Sequence, residues 1–300
     1  MQIQSYEETL ATLNRAIAQN PNNTKALAQR GDTYRLMGRY DEALTDLNQA
    51  IDLKPNYAWA IAHRGDTYRL LKDYSSALTD FNRAIEITPT YVWAIGHRAE
   101  VYHKLERFSE ALLDLERAVE LKPDYAWAIA YRAGFYALMR RYEEALIDYD
   151  KAIALNETII AHWFGERGLI LGCLGRYAEA IECCEQGLKK NPDDYAALYT
   201  QAVVKARWKG LSEAKVEIDK ARAALESVAN SESRAGVLYR VGGLDALEGQ
   251  SDRALNYLTE AILLENEPKE LARHDLAWNE LRDDPRFQSL TAEPQRFKKS

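Results

Sequence analysis

Apolar residues along this chain follow a pattern that repeats at one fixed interval, the interval that separates Pro21 from Pro55. The clearest copy runs from Tyr57 to Pro89, YAWAIAHRGDTYRLLKDYSSALTDFNRAIEITP, and a shift by this interval in either direction finds another copy. Each copy has an apolar stretch with helical spacing, a short break such as 38–40, a second apolar stretch and a proline. These prolines are Pro21, Pro55, Pro89 and Pro123. Because proline cannot continue a helix, the pattern predicts successive units of two helices each.

Small and large residues occupy fixed places in these units. Small residues recur in the first helix at Gly31, Gly65, Ala99, Ala133 and Gly168. They recur in the second helix at Ala43, Ala77, Ala111, Ala145, Ala180, Ala214 and Ala254. Large aromatic residues recur at Tyr34, Tyr68, Tyr102 and Tyr136. The small residues let two helices approach closely, and the large ones fill the gaps between units.

These residue types at these spacings resemble the tetratricopeptide repeat, a helix-turn-helix unit of about 34 residues. The segment LRDDPRF near the end of the chain resembles the closing segments of bacterial arrays of this repeat. The resemblance implies an all-α fold, a right-handed superhelical solenoid of antiparallel helix pairs. It also implies that the first helix of each unit lines the concave groove in which a partner binds.

The chain is expected to divide into segments of different regularity. Five regular units are predicted over 24–194 and two degenerate units over 195–268, preceded over 1–23 by the second helix of a partial unit. Capping helices are predicted over 269–291 and a tail over 292–300, because a terminal unit must shield the last apolar face. One extra residue is expected near the start of the unit that begins at about Ala161, and SVANSES at 227–233 is expected to be a flexible polar linker.

Composition narrows the classes of partner. A formal net charge of -7 argues against a nucleic acid, whose phosphates require a basic face. No apolar run reaches the roughly 20 residues that cross a bilayer, and the start, MQIQSYEETL, lacks the features of a secretory signal. The sequence therefore predicts a cytoplasmic protein that binds neither nucleic acid nor membrane. The three cysteines, Cys173, Cys183 and Cys184, are expected to be small packing residues.

A row of aromatic residues in the first helices is the candidate binding site. Tryptophan recurs at Trp59, Trp93 and Trp127. The predicted partner-binding residues, all on one stripe of the first helices, are Asp32, Arg35, Trp59, His63, Asp66, Arg69, Trp93, His97, Glu100, His103, Trp127 and Tyr131. Tryptophan offers a large contact area and can accept a cation on its face. The alternative interpretation is that these indoles only fill the space between adjacent first helices.

The charged residues of this stripe indicate which kind of ligand it could bind. Chaperone-binding tetratricopeptide domains hold a carboxylate with a lysine and an asparagine, where this chain has Ala28 and Asp32, so that specificity is not expected. Acidic residues here favour a ligand with lysine or arginine. Arg35 and Arg69 are expected either to pair locally with Asp32 and Asp66 or to contact carboxylates of the partner.

A second set of charges is predicted to be structural. Arginine recurs in the first helix at Arg30, Arg64, Arg98, Arg132 and Arg167, and aspartate in the second helix at Asp46, Asp80, Asp114 and Asp148. We expect each arginine to pack its stem and to pair with an aspartate of the same unit.

Catalytic chemistry has little support in the sequence. There is no glycine-rich phosphate loop and no GxSxG motif, and His63 and His97 are too far apart for one metal ion. The sequence therefore predicts a non-enzymatic scaffold, without cofactor or metal, that binds a protein or peptide in its groove. The alternative is self-association into a homodimer or filament through an apolar N-terminal edge formed by Leu10, Leu13 and Ile17. A small-molecule or enzymatic use of the groove is the third hypothesis.

Overall fold

A computed structural model of the chain describes residues 2–155, 161–229, 234–265 and 267–292. Three sequence-based expectations fall partly outside these residues. They are the extra residue, as far as it concerns 156–160, the linker predicted over 227–233, of which 230–233 are not described, and the tail predicted over 292–300, from 293 onward. Every element of the described residues is helical.

The helices follow one another with short connections. They are α1 (Gln2–Gln19), α2 (Thr24–Leu36), α3 (Tyr40–Leu53), α4 (Ala58–Leu70), α5 (Tyr74–Ile87), α6 (Val92–Lys104), α7 (Phe108–Leu121), α8 (Ala126–Leu138), α9 (Tyr142–Leu155), α10 (Ala161–Cys173), α11 (Tyr177–Lys190), α12 (Tyr195–Lys209), α13 (Leu211–Val228), α14 (Arg234–Leu247), α15 (Ser251–Leu264), α16 (Glu267–Ala272), a 3-10 helix (Leu276–Leu281) and α17 (Pro285–Thr291). The all-α class predicted from the repeat is confirmed, as antiparallel helix pairs.

The chain forms two compact units, Met1–Ala128 and Ile129–Ser300, with the boundary inside α8. In the first unit, α2 pairs with α3, α4 with α5 and α6 with α7, and α1 packs against α2. In the second unit, the pairs are α10 with α11, α12 with α13 and α14 with α15. The 3-10 helix packs against α14, and α16 and α17 pack against each other and against α15.

The turns inside the pairs share one backbone conformation. After α2, Gly38 has a φ of +74°, and its N–H donates to the carbonyl of Arg35 while that of Arg39 donates to the carbonyl of Tyr34. These are the two hydrogen bonds of a glycine-terminated helix end. The equivalent residues after α4 and α6 are Lys72 and Glu106, with φ of 62° and 56°. The turn therefore keeps its shape where glycine is missing, although the residue there must adopt a left-handed backbone conformation, which is unfavourable for a residue with a side chain.

Small residues bring the two helices of a pair together, as the pattern predicts. A Cβ added to Gly31 would lie 2.8 Å from Cγ of Leu47 on α3. One added to Gly65 would lie 3.1 Å from Cβ of Asp80 on α5. Ala43 and Ala77 on the facing helices are fully buried.

The arginine and aspartate residues that recur in each unit form buried pairs. Arg30 binds Asp46 with both Nε and Nη2, at 2.6 and 2.7 Å. Its Nη1 donates to Asn14 of the preceding helix, so the same side chain joins neighbouring repeats. The same bidentate pairing joins the two helices of each following repeat, in Arg64–Asp80, Arg98–Asp114 and Arg132–Asp148.

Arg167 departs from this arrangement. Its Nε binds Asp150 at 2.7 Å, and the place of the expected aspartate on α11 is taken by Cys183. The thiol of Cys183 donates to the carbonyl of Phe164. Burial raises the pKa of this thiol, which suits a packing residue.

The N-terminal apolar edge expected from the sequence is only partly present. Leu10 is buried, because α1 packs against α2, and it is not available to a second copy of the chain. Leu13 and Ile17 are half-buried.

Candidate functional site

Five aromatic side chains of the first unit form a continuous column, here called the aromatic column. The ring of His63 stacks on Trp59, with centroids 3.8 Å apart, and on Trp93, with centroids 4.5 Å apart. Trp93 continues to His97 at 4.2 Å, and His97 to Trp127 at 5.4 Å. Tryptophans of successive repeats are therefore separated by histidines.

Helical spacing and the repeat period together produce this column. Within α4 and within α6, the histidine lies one helical turn after the tryptophan, which places both rings on one helical face. A shift by one repeat period then places the tryptophan of the next repeat on the free side of the histidine. The indole of Trp127 lies directly over Gly96, where an added Cβ would be 2.8 Å from its Cζ3.

Three tyrosines border the column. Tyr57, Tyr91 and Tyr125 immediately precede the helices that carry the tryptophans, and their ring centroids lie 6.1, 6.0 and 5.8 Å from those of the tryptophans that follow. Burial raises the pKa of all three phenols. All three tyrosines are half-buried neighbours of the indoles.

Beside the column runs a chain of alternating acids and bases, here called the carboxylate–arginine chain. Arg35 binds Asp32 of its own helix and Asp66 of the next repeat, both at 2.7 Å. Arg69 repeats this arrangement with Asp66 at 2.7 Å and Glu100 at 2.8 Å. Both arginines thus pair locally, which was one of the two alternatives, and each also connects two repeats.

Hydrogen bonds connect the two features. Because a carboxylate can only accept, Nδ1 of His63 donates to Oδ1 of Asp32 at 2.8 Å, and Nδ1 of His97 donates to Oε2 of Glu100 at 3.1 Å. Burial works to raise the pKa of Asp32, but His63 and Arg35 outweigh it and the pKa is lowered. The pKa of Glu100 is likewise lowered by His97 and Arg69 against the effect of burial.

The predicted site residues differ in their access to solvent. The three tryptophans are half-buried, which leaves part of each indole at the surface. His63 and Asp66 are only 8% and 1% exposed, so they support the surface residues and do not themselves form the surface. Asp32 keeps about a fifth of its side chain exposed, and its Oδ2 has no hydrogen-bond partner among the described residues.

Two further predicted residues, His103 and Tyr131, also contact aromatic rings. The ring of His103 lies 5.9 Å from that of Phe108 on α7. Tyr131 belongs to the second unit, where its ring meets that of Phe135 edge to face at 5.7 Å.

The described part of the chain has neither a metal-binding cluster nor a membrane-crossing helix. Among those residues, no group of three or more histidine, cysteine or acidic side chains could hold a metal ion. Likewise, the described helices include none with the length and apolar character needed to cross a membrane.

Comparison with known proteins agrees with this geometry. Family models described as "TPR repeat" match residues 31–68 and 65–106, and others described as "Tetratricopeptide repeat" match residues 12–45, 94–125 and 161–194. No curated protein matches the chain significantly.

Solved structures share the fold at low sequence identity. A tetratricopeptide repeat protein from Parabacteroides merdae ATCC 43184 is 19% identical, with a TM-score of 0.61 over 85% of this chain and 98% of that one. The type IV pilus biogenesis factor PilW is 19% identical, with a TM-score of 0.55 over 78% and 97%. The APC/C hetero-tetramer Cut9-Hcn1 is 14% identical, with a TM-score of 0.66 over 86% of this chain and 46% of the other. These likenesses concern the fold alone.

The repeated helix pairs and the matched segments place the chain in a class of proteins built from stacked helical repeats. It is a tetratricopeptide repeat protein.

Proposed function

We propose that the protein is a non-enzymatic interaction scaffold and that the aromatic column of the first unit, with its bordering tyrosines, binds a segment of a partner protein. The observation that carries the proposal is that the three tryptophans are half-buried and that histidine rings lie between them. An indole held in this way presents a fixed apolar surface, so little rotamer freedom is lost on binding.

The charges beside the column favour a cationic segment. The carboxylate–arginine chain has three carboxylates and two guanidinium groups, and these arginines are already bound on both sides. The unused acceptor is Oδ2 of Asp32, which is partly exposed. A lysine or arginine of the partner would pack its stem on the exposed parts of Trp59 and Trp93 and donate a hydrogen bond to Asp32.

The same charges disfavour other ligands. A carboxylate or phosphate ligand would meet Asp32 and Glu100 without a free arginine in this strip to offset them. Nucleic acid is therefore not the proposed ligand. The proposed ligand is a peptide with basic side chains and with aromatic or aliphatic ones.

Selection from a random peptide library displayed on phage tests this proposal. We expect the selected peptides to be enriched in lysine or arginine, and their binding to shift tryptophan fluorescence. Trp93→Leu should weaken the selected peptides about tenfold or more, as expected for a central aromatic contact. Asp32→Asn, which retains an oxygen acceptor for His63 and Arg35, should reduce the preference for basic peptides.

A matched control is Trp208→Leu, since Trp208 is an exposed indole of the second unit. It should leave the binding of the selected peptides unchanged. Equal affinity of these peptides for the wild type and for Trp93→Leu, with both proteins folded by circular dichroism, would contradict the proposed site.

A further inference from the structure

The second unit contains a cavity of about 510 Å³, here called the arginine cavity. The end of α8 and the turn that follows it contribute Leu138, Met139 and Arg140, and the C-terminal segment contributes Arg273 and Arg282, among others. A smaller cavity of about 110 Å³ shares its three arginines. None of these residues belongs to the aromatic column or to the carboxylate–arginine chain.

The arginine cavity is positive in a protein that is negative as a whole. Three guanidinium groups line it against one carboxylate, that of Glu270, which binds Nη1 of Arg273 at 2.8 Å. Arg140 and Arg282 are exposed and form no ion pair with any residue of the described ranges. Two positive charges therefore remain uncompensated in one concave place.

Arg273 has an incomplete set of hydrogen bonds. Its Nε donates to the carbonyl of Thr291 and its Nη1 to Glu270. Its Nη2 is buried, yet no hydrogen-bond acceptor for it is found among the described residues. A buried guanidinium nitrogen without an acceptor is unfavourable, so the charge of Arg273 is only partly compensated by Glu270.

The protonation of His274 is affected by the positive charges of the same arginines. Nε of Arg140 donates to Nδ1 of His274 at 3.3 Å, which requires the neutral imidazole. Burial and then the charges of Arg140, Arg273 and Arg282 lower the pKa of His274 to about 4.

We propose that the arginine cavity binds a phosphate monoester, with the phosphate group among Arg140, Arg273 and Arg282. Planar guanidinium groups match the oxygens of phosphate two at a time, and two uncompensated charges suit a dianion. The volume exceeds that of a phosphate ion and lies within the range of small-molecule sites, so an organic group has space beside it. Leu138 and Met139 provide apolar contacts for that group.

Calorimetric titration at constant ionic strength tests the proposal, with phenyl phosphate and inorganic phosphate as probes. We expect phenyl phosphate to bind, and to bind more tightly than inorganic phosphate. Arg140→Gln and Arg282→Gln should each weaken phenyl phosphate about 10- to 100-fold, as expected for the loss of a charged hydrogen bond. Both arginines are exposed, so these variants should keep the fold.

The control is Arg234→Gln, since Arg234 is an exposed arginine of the same unit that pairs with Glu260 and does not line the cavity. It should bind phenyl phosphate like the wild type. The proposal is overturned if phenyl phosphate does not bind, if it binds no better than inorganic phosphate, or if both cavity variants bind it unchanged.

A third probe distinguishes the source of the ester. A short peptide with a central phosphoserine should bind as tightly as phenyl phosphate if the natural ligand is a phosphorylated protein. Binding of phenyl phosphate alone would assign the cavity to a small phosphorylated metabolite. Either result supports a phosphate monoester site.

Discussion

The imidazole of His63 lies nearly parallel to the indole of Trp93 in the next repeat, with ring centroids 4.5 Å apart and planes inclined by 13°. The other face of the same imidazole meets Trp59 at 3.8 Å. His63 thus fills the gap between two indoles that belong to different repeats. Its hydrogen bond to Asp32 fixes the plane of the ring, so the spacing of the tryptophans depends on a residue that is itself buried.

Removal of this imidazole should therefore loosen the column. We expect His63→Ala to lower the free energy of unfolding by about 2–3 kcal/mol, because two ring contacts and a charged hydrogen bond are lost. Tryptophan emission should shift to longer wavelength as Trp59 and Trp93 become more hydrated. Urea denaturation and fluorescence spectra of the native state measure both effects.

His162→Ala is the control for this experiment. The side chain of His162 is half-exposed on α10 of the second unit, and its replacement should change neither stability nor emission. An unchanged emission spectrum in folded His63→Ala would show that the histidine does not hold the indoles.

The carboxylates of the site predict a response to acid. The folded-state pKa of Asp32 and of Glu100 is lower than the ordinary values of 3.8 and 4.5. Their contribution to stability is therefore complete above about pH 5 and is lost as the pH falls through the lower, folded-state values. Urea denaturation between about pH 5 and pH 3 should show falling stability in the wild type. The fall should be smaller in Asp32→Asn, and identical slopes would contradict the role given to Asp32.

The bidentate arginine–aspartate pairs inside each repeat should show strong energetic coupling between their two residues. Asp80 is buried, and both of its oxygens bind Arg64 at 2.7 Å. We expect Arg64→Met and Asp80→Asn each to cost about 2–4 kcal/mol, and a double-mutant cycle to give a coupling of about 1–3 kcal/mol. The exposed pair Arg39–Glu42 serves as comparison and should show no measurable coupling. Additive effects of the two substitutions at Arg64 and Asp80 would contradict the expectation.

The contact between Gly96 and Trp127 can be tested with one added methyl group. Alanine is normally the better residue inside a helix by about 1 kcal/mol, but here its Cβ would collide with the indole. We expect Gly96→Ala to destabilise the protein by about 1 kcal/mol, the cost of overpacking exceeding the gain in helix propensity. Trp127 should also become more accessible to acrylamide quenching.

Gly134→Ala provides the matched case. The nearest atom to an added Cβ at Gly134 is 3.7 Å away, so the substitution should stabilise α8 by about 0.5–1 kcal/mol. Equal effects of the two substitutions, measured by thermal denaturation, would show that Trp127 moves away from the added methyl group without a loss of stability.

Much of the fold could be predicted from the repeat itself. The break expected at 38–40 corresponds to the end of α2 at Leu36 and the start of α3 at Tyr40. The left-handed conformation of Lys72 and Glu106 could not be read from those residues, because the signal is carried by copies that have glycine at this place, such as those of Gly38 and Gly175. The repeat period alone predicted a turn in those copies, because their own residues at this place do not favour one.

The site was predictable in part. Helical spacing places Arg35 beside Asp32, but its bond to Asp66 depends on the distance between stacked repeats, which sequence spacing does not give. For the same reason, the sequence placed His63 beside Trp59 and did not indicate that it lies between two tryptophans. The arginine cavity had no signal at all, since Arg140 and Arg273 are far apart in the chain.

The C-terminal segment shows another limit of pattern reading. The sequence predicted capping helices over 269–291. The structure has α16, a 3-10 helix and α17, and Pro285 starts α17. Proline is compatible with the first turn of a helix, where its missing N–H would have no partner.

The carboxylate–arginine chain has a consequence for how such a chain can change in length. Arg35 forms an ion pair with Asp66 of the next repeat, and Arg69 forms the equivalent ion pair with Glu100 of the repeat after that. If the segment 58–91, one complete repeat, were excised, Glu100 would take the place of Asp66 in front of Arg35, and His97 that of His63. A gene that loses or duplicates one whole period would therefore encode a chain in which every junction finds a complementary neighbour, so the first unit is a set of interchangeable modules.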